Sequence, residues 1–390
     1  MNPTCPSIAK LKKKRRTPTK RPQNILLTNG RFPVTLDLAR QLKKCGHTVY
    51  VVDCMHYHVA KFSNAVLQSF RAPAPRDDET GYRKAVSEII RKHNIHLVIP
   101  MHEEIIHLAG SNDIEIIKRL LSPPKHIILR LHNKWEFSQW MEKIGLGVPR
   151  HYLCESIEDV KNLPNLDKIE YALKPVFGRA SQSVYHLKPD KDLPLGKLDM
   201  KKKWIAQEWI YGERLEGIKG VFQLAFDFVE ELRLETNDTE EEPKPGDTRL
   251  VSIECNPRST SGIHLFAGKT DLALCLTDDN PRTVVAHPKA KRQVFPGMMM
   301  WEHSDANVKQ WLRHMGRLMG SKDVVFSARD LLPTLMQPFL LTSYYEICRE
   351  KKLKLPDMFQ LDVTWEPGSE ELKEVYRLAR EDRKGWGYRR

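Results

Sequence analysis

Three polar side chains with complementary chemistry follow one another at alternate positions near the end of a predicted strand. They are Glu254, Asn256 and Arg258, within the stretch RLVSIECNPRSTSGIHLF of residues 249–266. Alternate residues of an extended segment point to the same side, so the three polar groups can converge. Carboxylate and amide oxygens suit Mg²⁺, and the guanidinium fork suits phosphate or carboxylate oxygens. The alternative is an exposed strand end with incidental polar residues.

A second acidic strand strengthens the chemical interpretation. Residues 223–228 form an apolar run that carries a single carboxylate, Asp227, and this run can pair with the first strand as a hairpin. Two acidic groups that bridge a metal ion and a phosphate are a recurring arrangement in phosphoryl transfer from ATP. The two strands together therefore predict a phosphate-handling site.

The length and charge of the chain indicate how many domains it has and where its basic residues are concentrated. A chain of 390 residues is long enough for two or three domains. Its formal net charge is +13, and residues 1–23 contribute +8 of it without a single acidic residue. We expect this leader to be a solvated, disordered tail, with nuclear targeting or weak nucleic-acid affinity as the alternatives. Nucleic-acid binding elsewhere in the chain is not indicated.

Cysteine usage and hydropathy indicate a cytoplasmic protein. The seven cysteines include no C-x-x-C pair and are expected to be reduced thiols. The N-terminal charges are not followed by an apolar segment, so no secretory signal is predicted. No stretch reaches the roughly 18 uninterrupted apolar residues that a membrane span requires. The oligomeric state cannot be predicted from these features.

The folded part is predicted to begin with a βα unit at about Asn24. Its second strand ends in Asp53, as in a dinucleotide-binding fold, but the first turn lacks the G-x-G-x-x-G fingerprint, which disfavours a nicotinamide-dependent oxidoreductase. The predicted elements are a strand at 25–28, a helix at 34–45, a strand at 48–52, a helix at 81–93, a strand at 96–99 and a helix at 103–108. Four histidines in this unit fit no zinc motif and are expected at the surface: His93, His96, His102 and His107.

A new unit is predicted to begin near residue 123. Asn133 opens a helix whose first residue is Lys134, and a strand at 171–176 carries Lys174. The small-residue loop at 178–181 follows this lysine, an arrangement that suits nucleotide phosphates. A further strand at 204–210 leads to Tyr-Gly-Glu-Arg, where backbone groups beside an acid could bind an adenine amine and a ribose hydroxyl.

In this order, the motifs resemble the ATP-grasp superfamily, including fungal and bacterial proteins of that superfamily. They are a lysine-opened helix, a strand with K-P and a small-residue loop, a strand Q-E-W-I followed by G-E, a strand F-D-F and a strand I-E-C-N-P-R. The resemblance covers roughly residues 24–270. It implies an α/β fold in which an N-terminal βα (pre-ATP-grasp) domain precedes a two-lobed ATP-grasp domain.

The resemblance also implies a role for individual residues. ATP phosphates would be held by Lys134, Lys174 and the loop residues Gly178, Arg179, Ala180 and Ser181. Adenine and ribose would be held by Glu208, Trp209, Ile210 and Glu213. Mg²⁺ or Mn²⁺ would be held by Asp227, Glu254 and Asn256, with Arg258 as the catalytic residue beside the transferring phosphate or the substrate carboxylate.

The sequence departs from the ATP-grasp pattern in two places. Only residues 215–220 separate Arg214 from Val221, where the superfamily has on the order of 50 residues, and residues 231–249 form an acidic insert expected to be a loop. The C-terminal sheet should then keep roughly three strands, 204–210, 221–229 and 250–254. We therefore expect weak ATP binding and little or no turnover, from a degenerate paralogue, a splice form or a flawed gene model.

Residues 271–390 are predicted to be mainly helical. An amphipathic helix is expected at 307–319, and the apolar stretch 331–348, interrupted by prolines, is expected to pack on the ATP-binding lobes. The predicted division is a leader at 1–23, a βα domain at 24–122, an ATP-grasp domain with a truncated C-terminal sheet at 123–270 and a helical extension at 271–390.

The activity implied by the resemblance is an ATP- and Mg-dependent ligase. ATP would activate a small-molecule carboxylate as an acyl phosphate, which an amine or a similar nucleophile would attack. Two other functions remain open at this stage: a non-catalytic nucleotide-binding remnant or regulatory protein, and the disfavoured NAD(P)-dependent oxidoreductase.

Overall fold

A computed structural model describes the greater part of the chain. The described residues are 22–178, 183–218, 224–232, 248–278, 284–287, 289–293, 308–358, 363–365, 367–368, 372–373 and 375–377. Most of the basic leader, the centre of the acidic insert and the loop residues Arg179, Ala180 and Ser181 therefore lie outside the described residues. No described helix is both long and apolar enough to cross a membrane.

The first unit is a parallel four-stranded sheet with helices on both faces. Its strand order is β3-β2-β1-β4, with β1 at Asn24–Thr28, β2 at Thr48–Asp53, β3 at Gln68–Arg71 and β4 at Leu97–Ile99. Its helices are α1 at Pro33–Lys44, α2 at Glu79–Lys92, α3 at Glu104–Ala109 and α4 at Ile114–Ile117. The predicted βα unit is thereby confirmed. Strand β3 was not predicted, because its sequence Gln-Ser-Phe-Arg has no apolar run.

Strand alternation divides the core of this unit into two clusters. Ile25 and Leu27 of β1 pack on one face with Leu38 of α1, whereas Leu26 packs on the other face with Val86 of α2. Both faces are buried because each is covered by helices, as is usual for a parallel sheet. Gly46, with φ of +89°, ends α1 at the position predicted from the sequence.

The second unit contains two antiparallel sheets. Helices α5 at Lys125–His132 and α6 at Lys134–Lys143 precede a four-stranded sheet of order β5-β8-β6-β7, with α7 at Ile157–Lys161. Its strands are β5 at His151–Cys154, β6 at Tyr171–Pro175, β7 at Tyr185–Leu187 and β8 at Trp204–Glu208. The second sheet has the order β11-β10-β9, with β9 at Gly212–Ile218, β10 at Ala225–Leu232 and β11 at Thr248–Asn256.

The three described strands of the second sheet match the expected number, but one member was predicted wrongly. Trp204–Glu208 belongs to the other sheet, where it pairs with β5 and β6. The third strand is instead β9, which includes most of the residues predicted to be a short connection. Only three residues separate β8 from β9, too few to reveal this change of sheet as a break in the hydrophobic pattern.

The described part of the C-terminal region is mainly helical. It contains α8 at Asp271–Thr277, α9 at Val308–Met319, α10 at Leu332–Leu335, α11 at Gln337–Lys351 and α12 at Leu355–Met358, with two short parallel strands, β12 at Arg292–Gln293 and β13 at Lys322–Asp323. Leu340, Tyr344 and Cys348 of α11 pack against Leu36 of α1 and Val59. The expectation that this stretch packs on the ATP-binding lobes is therefore wrong, since it covers the first unit.

Two of the four histidines expected at the surface are buried. His102 and His107 are each 6% exposed, and the ring of His102 stacks on Phe32 with centroids 4.7 Å apart. The described residues contain no group of three or more His, Cys, Asp or Glu side chains arranged for a metal ion. These two histidines are therefore packed against other parts of the first unit.

A buried ion pair between Arg31 and Asp53 joins the ends of β1 and β2. Both side chains are fully buried, and Arg31 donates to Asp53 from its backbone N at 2.9 Å and from Nε at 3.1 Å. Burial alone would raise the pKa of Asp53, but the charges of Arg31 and His58, with hydrogen bonds, lower it below the usual value. This carboxylate therefore stabilises the fold at neutral pH, and its contribution is lost as pH falls through its folded-state pKa.

Replacing Arg31 should expose how strongly the first unit depends on this pair. We expect Arg31→Met to reduce the free energy of unfolding by about 3–5 kcal/mol at pH 7, because it leaves Asp53 charged and buried. The double variant Arg31→Met, Asp53→Asn should recover part of that loss. Urea unfolding at pH 7 measures both, with exposed Arg91→Met as the control; a single variant as stable as the control would contradict the assignment.

Candidate active site

Lys134 lies where α6 begins, beside the end of β6. Asn133 caps the helix by accepting a hydrogen bond from the backbone N of Glu136 at 3.0 Å. The backbone N of Lys134 donates to the carbonyl of Val176 at 3.0 Å, and its Nζ donates to the carbonyl of Gly178 at 2.6 Å. The side chain is 7% exposed, so the helix start carries a buried ammonium group next to the small-residue loop.

Glu254 on β11 provides the nearest described countercharge. Its Oε2 lies 3.7 Å from Nζ of Lys134, and the side chain is one-quarter exposed. Glu254 is paired directly with Asp227 of β10, so the two carboxylates share one face of the hairpin, as the sequence predicted. Asn256 pairs with Ala225 two positions further along, which places it on the same side. The pairing therefore places all three predicted metal ligands on one side of the hairpin, and their role toward a metal ion stays a prediction.

The first unit contributes a residue that the sequence did not predict for this site. Glu103, which precedes α3 and is 2% exposed, places Oε1 3.8 Å from Nε of Arg258. Its Oε2 accepts a hydrogen bond from the backbone N of Trp365 at 3.2 Å. A separation of 3.8 Å is an ion-pair distance and is too long for a hydrogen bond. Among the described residues, Nε of Arg258 therefore has no hydrogen-bond acceptor. The sequence signal that could have indicated Glu103 is the run of three polar residues, His-Glu-Glu, shortly after β4.

Burial and the charges of Glu254, Glu103 and Arg258 together shift the pKa of Lys134. Burial lowers the pKa of Lys134 because it disfavours the charged ammonium. The carboxylates of Glu254 and Glu103 oppose this effect, whereas the positive charge of Arg258 adds to it. The site thus holds two cations and two anions from three separate parts of the chain. Such a set can bind an anionic group on its two cations.

Lys174 lies on β6 and is 6% exposed. Its neighbours Tyr171 and Leu173 belong to the apolar core of that sheet, so alternation places Lys174 on the opposite face. Gln207 of β8 lies on this opposite face and donates from Nε2 to Oγ of Ser138 on α6 at 3.0 Å. Lys174 therefore lies on the side of the sheet that faces the helix begun by Lys134, and its role toward ATP stays a prediction.

The predicted adenine-binding residues Glu208, Trp209 and Ile210 lie at and just after the end of β8, an inner strand of the same sheet. Glu208 accepts from Nε of Arg150 at 2.9 Å, and the ring of Trp209 stacks on His186 with centroids 3.6 Å apart. The backbone N–H groups of Glu208 and Trp209 already bond to carbonyls at 2.8 Å. These two N–H groups are therefore already paired, and the role of Glu208, Trp209 and Ile210 toward adenine stays a prediction. Glu213 lies on β9, and its side chain is outside the described residues.

Comparisons with known proteins give matches among solved structures. N5-carboxyaminoimidazole synthetase from Staphylococcus aureus complexed with ADP is 12% identical, over 64% of this chain and 74% of that chain, with a TM-score of 0.48. L-amino acid ligase from Bacillus licheniformis is 15% identical and has a TM-score of 0.46; the match covers 63% of this chain and 69% of the ligase. A biotin carboxylase–ATP complex from Campylobacter jejuni is 13% identical and has a TM-score of 0.46; the match covers 61% of this chain and 66% of the carboxylase. No protein-family model and no curated protein sequence matches the chain.

The electrostatic arrangement can be tested without any ligand. We expect Glu254→Gln and Glu103→Gln each to lower the pKa of Lys134 further, since each removes a negative charge that favours the ammonium. Arg258→Met should raise it. NMR titration of isotope-labelled lysine measures the three shifts. Glu142→Gln, on the exposed side of α6, is the control, and equal pKa values in all variants would show that these charges do not converge on Lys134.

Proposed function

We propose that this protein is an ATP-grasp ligase that phosphorylates a small-molecule carboxylate with ATP and joins it to an amine or a similar nucleophile. The observation that carries the proposal is the meeting of Lys134, Glu254, Arg258 and Glu103 around one buried site. A helix start, a strand end and a loop of the first unit supply these charges. Their combination suits a reaction in which a phosphoryl group passes between two anions.

The residues fit Mg²⁺, or Mn²⁺, as part of this site. Asp227 and Glu254 are neighbours on paired strands and Asn256 follows on the same side, so hard oxygen donors are available from three side chains. Mg²⁺ is commonly held by one or two carboxylates together with substrate phosphates, so a set of two acids is sufficient. When bound, the ion would neutralise charge on the phosphates. The assignment of these three ligands remains a proposal.

The protein's own side chains would act by positioning and by neutralising charge. In the first step a carboxylate oxygen attacks the γ-phosphorus, the bond to the β-phosphate oxygen breaks, and ADP leaves. In the second step the nucleophile attacks the acyl carbon and inorganic phosphate leaves, while the nucleophile loses a proton to solvent or to a nearby base. Lys134 and Lys174 would bind ATP phosphates, and Arg258 would bind the transferring phosphate or the carboxylate.

Glu103 would orient Arg258 during these steps. It is buried beside the guanidinium and is itself fixed by the backbone N of Trp365, so Arg258 is held on one side while Nε keeps a hydrogen-bond donor. Preorganised charge of this kind needs no rearrangement as negative charge develops. Arg258, the cation proposed to contact the substrate, is thereby positioned by a residue of the first unit.

The oxidoreductase alternative is disfavoured by the geometry of the first unit. The acid at the end of β2, which would bind a ribose in a dinucleotide-binding fold, is Asp53, and it is fully buried against Arg31. A Cβ atom at Gly30 would lie 2.3 Å from the ring of His58, so the turn after β1 is already filled. Asp53 and this turn are therefore parts of the packed interior.

A non-catalytic nucleotide-binding protein is the second candidate. The observation that favours it is the second sheet, which has three strands among the described residues and ends at β9. Lobes that clamp a nucleotide need enough strands to cover the apolar side of the ligand. A sheet of this width predicts weak binding and little turnover even with the phosphate-binding residues in place.

Nucleotide binding is tested first. We expect Lys134→Met and Lys174→Met each to weaken Mg–ATP binding at least tenfold, because each removes a charge from the phosphate site. Isothermal titration with a non-hydrolysable ATP analogue and Mg²⁺ measures the Kd. Lys143→Met, an exposed lysine at the other end of α6, is the matched control and should bind like the unaltered protein. No binding, or equal binding in all variants, would contradict the nucleotide site.

Turnover distinguishes the two candidates. A ligase should release ADP only when a carboxylate and an amine are both present, whereas a nucleotide-binding protein should bind the analogue without substrate-dependent ADP release. A coupled ADP assay over a panel of carboxylic acids and amines makes this measurement. We expect Arg258→Met to abolish any such release while leaving the Kd for the ATP analogue within about threefold, because Arg258 is assigned to the transferring group.

A further inference from the structure

A cavity lies away from the site described above, between α1 and the segment that includes β13. Its volume is about 560 Å³, and its walls come from α1, from residues 267–268, from Arg292 and from residues 322–330. A cavity of this size is within the range of small-molecule sites. The candidate active-site residues line none of it, so the proposed ligase function does not explain this cavity.

The basic residues around this cavity outnumber the acidic ones. The basic lining residues are Arg40, Lys43, Lys44, Arg292, Lys322 and Arg329, and the acidic ones are Asp37, Asp323 and Asp330. Each acid is already engaged within the protein. Asp37 pairs with His264, Asp330 accepts from Nε of Arg40 at 2.8 Å, and Asp323 accepts from the backbone N of Val325 at 2.9 Å. Asp330 and Arg40 offset each other, which leaves five basic side chains against two acidic ones around the cavity.

Most of the basic side chains either contact neutral groups or form no polar contact with a described residue. Lys44 donates to the carbonyl of Gly268 at 2.8 Å, and Arg292 donates to the carbonyl of His264 at 3.0 Å. Lys322 and Arg329 are exposed, and neither side chain forms a hydrogen bond or ion pair with any residue that the structure describes. Carbonyl contacts orient a cation without cancelling its charge. The cavity is therefore electropositive, with two cations able to turn toward a ligand.

Gln41 adds unused hydrogen-bonding capacity to the wall. It lies on α1, is 1% exposed, and both its Nε2 and its Oε1 lack a hydrogen-bond partner among the described residues. Buried amides without partners are rare and call for a water molecule or ligand that completes them. Phe326, which also lines the cavity, is 57% exposed and offers an apolar surface next to the charges.

We propose that this cavity binds a small molecule that carries at least two negative charges on phosphate or carboxylate groups. Lys322 and Arg329 would contact the anionic groups directly, and Lys43, Lys44 and Arg292 would maintain the positive field. The fork of Arg329 matches two oxygens of one phosphate or carboxylate. The cavity neighbours the segment that follows Arg258, because Arg292 bonds His264 and Ala267 of that segment.

Binding of two simple anions tests this site in the full-length protein. We expect pyrophosphate or citrate to bind saturably in isothermal titration at 0.1 M NaCl, and we expect the double variant Lys322→Gln, Arg329→Gln to weaken that binding at least tenfold. The control Lys84→Gln, Lys118→Gln removes the same net charge from exposed positions of the first unit and should change the Kd less than twofold. The pyrophosphate and citrate arms distinguish phosphate from carboxylate ligands.

Three results would overturn the proposal. The first is the absence of saturable binding of both anions to the unaltered protein. The second is equal binding by the double variant and the unaltered protein, with both shown to be folded by their thermal unfolding midpoints. The third is loss of pyrophosphate binding in Lys174→Met but not in the double variant, which would place the anion at the proposed ATP-phosphate site instead.

Discussion

The buried ammonium of Lys134 sets the strongest constraint on how the parts of this chain are arranged. A charge taken out of water is tolerated only when opposite charges and hydrogen-bond acceptors surround it. Here the carbonyl of Gly178 and the carboxylate of Glu254 meet it, and the charge of Glu103 also favours the ammonium. Because these partners come from a loop, a strand and the first unit, satisfying one lysine requires the units to adopt one relative arrangement.

The same requirement explains why the charged residues of the candidate site lie where the first and second units meet. Helix α6 positions Lys134 through its capped start, β11 positions Glu254 through its pairing with β10, and the loop before α3 positions Glu103. None of these elements carries a complete site alone. The first unit is in turn made rigid by its own buried pair, Arg31 and Asp53, so the loop that presents Glu103 is connected to a well-packed sheet.

Local patterns in the sequence were sufficient for part of this arrangement. Alternation along two strands predicted that Asp227 and Glu254 would be neighbours, and the cap Asn133 predicted the helix that starts at Lys134. Glu103 could not be predicted as a site residue, since its partner Arg258 is 155 residues away and no local periodicity connects them. The placement of β8 in one sheet and β9 in the next was missed for a similar reason, because sheet membership is decided by partners that are distant in sequence.

The second sheet is narrow, and the end of β11, which carries Glu254 and leads into Arg258 of the candidate site, needs support from elsewhere in the structure. This support lies on both sides of that strand. Cys255 packs with Leu131, Phe137 and Met141 of α5 and α6, so the strand end is fixed against the helices on one side. Beyond Arg258 the chain forms a short 3₁₀ helix at Ser261–Phe266, in which Ile263 joins the core of the first unit and His264 pairs with Asp37 of α1. The end of β11 is thus anchored by contacts outside its own sheet, and these contacts keep Glu254 and Arg258 positioned where the sheet alone is small.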